Sequence, residues 1–168
     1  MQISPFWRLA PLLIVAHALQ TTWLSGPLGG WVRPDLPFLV ALAGGLLGGF
    51  EIGAIAGVGA GLLSGLGAAW HAGSFLVSRA VPPALLGAVA ARFSVFHPFA
   101  PPFCAFAATL FSDFLFMLIS PADFPFSWWT SHALRSATAH ALLIWPVFLL
   151  VARLVRSPQS ALFSSNAT

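Results

Sequence analysis

The chain has no lysine and no tyrosine, one cysteine, and four acidic residues in 168 positions. The lone thiol, Cys104, excludes an internal disulfide and any cysteine-built metal framework. Basic charge comes from seven arginines scattered along the chain, so no basic cluster exists to track phosphates and a nucleic-acid partner is not expected. Only 7% of residues are charged and 58% are hydrophobic, whereas a soluble domain carries roughly a quarter charged residues. Such a surface is not solvated by water, which predicts an all-α integral membrane protein. At about 20 residues per span there is room for about six spans and little else.

Six hydrophobic segments follow in order, at about 6–24, 36–50, 52–66, 70–91, 103–119 and 130–155. They form one transmembrane domain over 1–156, with a short polar tail, 157–168, read as disordered and cytoplasmic. Trp7 and Trp23 bracket the first segment as interfacial residues. Its single preceding arginine and the lack of a clean small-x-small site favour a retained helix over a cleaved signal peptide. Glycine and proline break the chain over 26–34, after which Asp35 is placed to cap the second helix and Pro37 fits its first turn. The second and third segments could fuse into one long helix, but Glu51 would then sit near its centre, where a carboxylate is costly. Two short helices with Glu51 at the turn are therefore expected. Pro82–Pro83 should bend the fourth helix. With six spans, Arg8, Arg92, Arg153 and Arg156 share one side and Arg33 and Arg135 the other, which predicts cytoplasmic N- and C-termini. Five spans would place the C-terminal arginines outside.

The third segment carries GAIAGVGAGLLSG, with glycines at 53, 57, 61 and 65. This spacing strips one helix face of side chains. Each interior glycine disfavours a helix in water by roughly 1 kcal/mol against alanine, but in lipid small residues let backbones approach. Ala56 and Ala60 widen the smooth face, as does Ser64. Two uses remain open: packing against another helix of the same chain, or docking of a partner membrane protein. All fifteen glycines lie at or before Gly87, so the C-terminal half fills space with bulk, chiefly phenylalanine.

Arg79 and Asp113 fall inside the fourth and fifth segments at depths differing by about 4 to 5 Å, within reach of an arginine side chain. Intramembrane ions usually pair, so an Arg79–Asp113 ion pair is expected; the other use of Arg79 is to bind a ligand carboxylate. His17, His71, His97, His132 and His140 show no metal-ligand spacing and are read as interface residues or helix–helix hydrogen-bond partners. Ser64, Ser74 and Ser112 lack a base-and-orienter arrangement, and no phosphate-binding loop is present. No catalytic residue, metal or cofactor is expected, and the chain is read as not an enzyme.

RPDLPFLVALAGGLLGGFEIGAIAGVGAGLLSGL, from Arg33 to Leu66, resembles the rod-shape-determining MreD family. It has a Pro-Asp-Leu lead-in to the second helix, a short turn at Gly49–Gly53, and a Gly-rich third helix ending in G-L-L-x-x-L. GAAWHAGSFLVSRAVPPALLGAVAARF, ending at Phe93, continues the likeness with a small-residue loop and a helix closing on a basic residue. Members often carry an aspartate where this chain has Ser64. The resemblance implies a non-catalytic scaffold of the bacterial inner membrane. Such proteins bind MreC-like and other cell-wall elongation proteins and link MreB to peptidoglycan synthesis. It also implies a fold like the substrate-binding subunits of energy-coupling-factor vitamin transporters, which supplies the alternative function. In that alternative, Trp31, Arg33, Trp70, His71, Trp128, Trp129 and His132 would line an outer cavity for a small molecule.

Overall fold

A computed structural model describes residues 5–22, 34–68, 71–120 and 126–155. Among them there is no strand. Five helices occur: α1 Pro5–Thr22, α2 Leu36–Ala68, α3 Ala72–Ala90, α4 Ala100–Ile119 and α5 Phe126–Val155. Four helical stretches are long and apolar enough to cross a bilayer: Leu36–Ala68, Ala72–Ala90, Ala100–Ile119 and Trp129–Val155. Large apolar side chains point outward along them, among them Ile55, Leu62, Leu85, Phe114, Leu142 and Leu149. That is the surface expected where hydrocarbon is the solvent. The expected residues Trp23, Trp31, Arg33, Trp70 and Arg156, with the tail 157–168, lie outside the described residues.

α2 consists of two helical halves joined at a kink, and that kink falls at Gly49, two residues before the turn expected at Glu51. Gly49 has φ 83° and ψ −171°, a region that side chains other than hydrogen essentially never enter. Only glycine there can turn the chain this tightly. Glu51 then lies in the first turn of the returning half, exposed, where the helix N-terminus favours a carboxylate. The two halves fold back on each other. A Cβ at Gly44 would lie 3.8 Å from that of Ala56, and one at Gly53 would lie 3.0 Å from Gly45 Cα. In a straight helix Gly44 and Ala56 would be about 18 Å apart.

The returning half runs antiparallel to α3 with backbones in contact. A Cβ on Gly65 would approach Ala72 Cα at 2.9 Å, one on Gly61 would approach Leu76 Cα at 2.7 Å, and one on Gly57 would approach Ala80 Cα at 2.7 Å. Gly53 faces Pro83, and Gly87 faces the peptide of Gly49. The four-residue glycine ridge is thus filled by α3 of the same chain. Ala56 and Ala60, on the adjoining face, are fully buried.

Two ends of the bundle follow from the contacts between elements. At one end meet the finish of α1, the start of α2, the start of α3, the finish of α4 and the start of α5. Gln20 Oε1 accepts from Leu36 N–H at 2.9 Å, and Trp129 Nε1 donates to Asp113 O at 3.1 Å. At the other end lie Gly49 and the 91–99 link. Arg8 Nη1 donates to Leu154 O at 3.2 Å, and Trp145 Nε1 donates to Pro98 O at 3.1 Å. The helix after that link begins at Ala100 rather than at 103, because Pro101 and Pro102 occupy its first turn, where their missing N–H groups leave no bond unmade.

Candidate functional site

The polar groups inside the bundle gather around two backbone features. The first is the Pro82–Pro83 pair within α3. Neither proline has an N–H, so the carbonyls of Ser78 and Arg79, four residues back, lose their helical donors. Ser112 of α4 supplies one replacement, its Oγ donating to Ser78 O at 2.7 Å. The Arg79 carbonyl faces Gly57, where a Cβ would stand 2.7 Å from it. Without that Cβ, the glycine Cα–H groups can approach the oxygen as weak donors.

The second feature is the N-terminus of α2, which starts inside the protein rather than at its surface. Asp35 and Pro34 are buried, as are the next residues Pro37, Phe38 and Leu39. A buried helix start must find acceptors for its first N–H groups, and each is accounted for. Asp35 N–H donates to His140 Nε2 at 2.8 Å. Leu36 N–H goes to Gln20, Pro37 has no N–H, and Phe38 N–H goes to Asp35 Oδ1 at 3.1 Å. Leu39 N–H starts the ladder on Asp35 O at 3.1 Å. The cap expected at Asp35 is therefore present, but it does more than cap.

Asp35 Oδ2 lies 2.9 Å from Arg79 Nε, while Arg79 Nη1 lies 3.3 Å from Asp113 Oδ1. The Nε contact is electrostatic, since its N–H does not point squarely at the oxygen. Nη1 also donates to Ser112 Oγ, whose own proton is already committed to Ser78 O. The guanidinium carbon sits 4.8 Å from the centre of the Phe38 ring, in cation–π contact. One arginine thus bridges the start of α2 and the middle of α4, with an aromatic floor beneath it.

His140 closes the other side. Its Nε2 accepts from Asp35 N–H, so the ring is neutral with its proton on Nδ1. Thr109 Oγ1, 2.8 Å from Nδ1, donates its own proton to Ala105 O at 2.7 Å and so accepts from the imidazole. The tautomer is fixed by hydrogen bonds on both nitrogens. His140 is buried, whereas His132, eight residues earlier on the same helix, is exposed.

Arg79 and Asp113, singled out from the sequence, are brought together, but Asp35 makes the shorter contact to the arginine. From the sequence Asp35 has only a capping role, whereas His140 is one of the helix–helix hydrogen-bond partners expected among the histidines, joining α5 to α4 through Thr109. Thr109 was not singled out. Glycines 53, 57, 61 and 65 line the α3 seam, where Gly57 meets the Arg79 carbonyl and Gly53 meets Pro83. Of the residues proposed for an outer cavity, His71 precedes α3 in a left-handed conformation, with φ 51°. Trp129 binds the α4 backbone, and His132 is exposed. Among the described residues no group of three metal-ligating side chains converges. The cluster can lock helices and carry charge; it holds no nucleophile aligned with a base.

Comparison with known proteins returns no match to a family model, to a curated protein or to a solved structure.

Proposed function

We propose that the chain is a non-catalytic scaffold of the bacterial inner membrane, of the MreD type, which helps maintain rod shape by linking MreC- and MreB-like partners to peptidoglycan synthesis. One observation carries this reading. The stretch that resembles the family, Arg33 to Phe93, is the stretch whose backbones interlock through the glycine ridge. Its buried polar groups, Asp35, Ser78 and Arg79, are also tied to α4 and α5 through Ser112, Asp113 and His140. Packing of this kind resists opening and closing, and a scaffold has to hold positions. The vitamin-transporter alternative instead needs its deep polar groups to face a cavity, and here Arg79 is turned toward Asp35 and Asp113.

In this reading the two halves of α2 each cross, giving six crossings. Arg8, Arg92 and Arg153 lie at the Gly49 end and Arg135 at the other, so the Gly49 end and both termini are cytoplasmic. The test is depletion in the source bacterium with complementation, paired with co-purification. Rounded cells on depletion and recovery of a membrane-anchored MreC-like protein support the scaffold. Unchanged rods, together with purified protein carrying a tightly bound small molecule, would replace it with the transporter subunit.

A further inference from the structure

We propose that Asp113 is an intramembrane proton-binding carboxyl, protonated on Oδ2 at neutral pH, while Asp35 makes the closer contact to Arg79. Charge counting comes first. Two carboxylates, Asp35 and Asp113, share one guanidinium, and the hydrogen bonds on both nitrogens of His140 keep that ring neutral. Among Asp35, Asp113, Arg79 and His140, full ionisation leaves one excess negative charge inside a membrane-spanning bundle, with the exposed His132 of α5 in electrostatic reach of Asp113. That is an expensive state, and carboxylates sharing one site do not both ionise readily.

Hydrogen-bond accounting then selects the oxygen. Asp35 uses both of its own: Oδ1 receives Phe38 N–H and Oδ2 faces Arg79 Nε. Protonating it would weaken the cap and the shorter ion contact together. Asp113 uses only Oδ1, toward Arg79 Nη1 at the longer distance of 3.3 Å. Its Oδ2 is buried and meets no donor. A proton there neutralises the excess charge and breaks no contact. The other titratable or charged groups around the pair are Arg79 on α3, Asp35 at the start of α2, and His132 and His140 on α5. None of them places a donor on Oδ2. The proton is taken from water and returned to it; no other bond changes. Its release leaves a negative charge on the α3–α4 seam, which makes this seam sensitive to pH.

Infrared spectroscopy of the reconstituted full chain reads the state directly. The wild type should show the carbonyl stretch of a protonated carboxylic acid at neutral pH, and Asp113→Asn should abolish it. That variant should keep near-wild-type thermal stability, because an amide resembles the neutral acid. Asp35→Asn should be clearly less stable. A second measurement needs no variant: dicyclohexylcarbodiimide, an apolar reagent selective for protonated carboxyls, should modify Asp113 and spare Asp35 in peptide mapping by mass spectrometry. Absence of the band at neutral pH, its survival in Asp113→Asn, or labelling at Asp35 instead of Asp113 would overturn the assignment. If Asp113→Asn fails to fold, the labelling site in the wild type decides.

Discussion

Gly53→Ala is the sharpest probe of the seam between α2 and α3. The new methyl would strike Pro83 on one side, with the Pro83 carbonyl carbon at 2.7 Å, and Gly45 Cα on the other at 3.0 Å. Carbon atoms prefer about 3.5–4.0 Å, so both walls must retreat by roughly 1 Å. Both walls are backbone, so no side chain can rotate away. Overpacking of this kind costs about 1–3 kcal/mol, and with two rigid walls the upper end applies. The better helix propensity of alanine returns about 1 kcal/mol, leaving a net loss of about 2 kcal/mol. Gly45→Ala meets the same Pro83 carbonyl, and one displacement of α3 relieves both. The double variant should therefore lose less than the sum of the singles. Gly73→Ala is the control, since a Cβ there meets nothing within 4 Å. Reversible unfolding in mixed micelles measures all four. The reasoning fails if Gly53→Ala is as stable as Gly73→Ala, or if the two seam variants add fully.

Gly49→Ala should also destabilise, by about 1–3 kcal/mol, but through the backbone alone, because a Cβ at Gly49 meets nothing within 4 Å. Gly49→Asn should be no better tolerated, and stability equal to wild type in either would contradict the turn. Thr109→Val keeps the shape of the side chain but leaves the His140 Nδ1 proton without its acceptor. A loss of about 1–3 kcal/mol is expected, read in the same unfolding assay; no change would mean that His140 is held some other way.

Much of the helix layout is legible in the sequence because the rules of the bilayer are few. Apolar length gives α1, α3, α4 and α5 to within a few residues, and the glycine spacing announces backbone contact. Which helix would fill the glycine face is not readable, because any helix satisfies the pattern; only the antiparallel return after Gly49 selects α3. Charge avoidance of the membrane centre puts the break at Glu51, within the Gly49–Gly53 turn of the resemblance, whereas the kink itself is at Gly49. Conformation decides instead, since only glycine reaches the required φ, and the carboxylate tolerates a helix start. The polar cluster was half visible. Arg79 and Asp113 are conspicuous as charges within apolar runs, and depth alone pairs them. Asp35 and His140 looked ordinary because their roles depend on α2 starting inside the bundle, next to α5. That juxtaposition joins residues 105 positions apart, and no local pattern encodes it.

The folded-back α2 positions both the glycine seam and the buried helix start, and a cross-link tests it most directly. In a Cys104→Ser background, Gly44→Cys with Ala56→Cys places two Cβ atoms about 3.8 Å apart, a spacing suited to a disulfide. Mild oxidation in membranes should convert the pair to an intramolecular disulfide, seen as loss of maleimide labelling that a reductant restores. Full maleimide labelling of both thiols after oxidation, as a continuous straight helix requires, would contradict the fold and the polar cluster built on it.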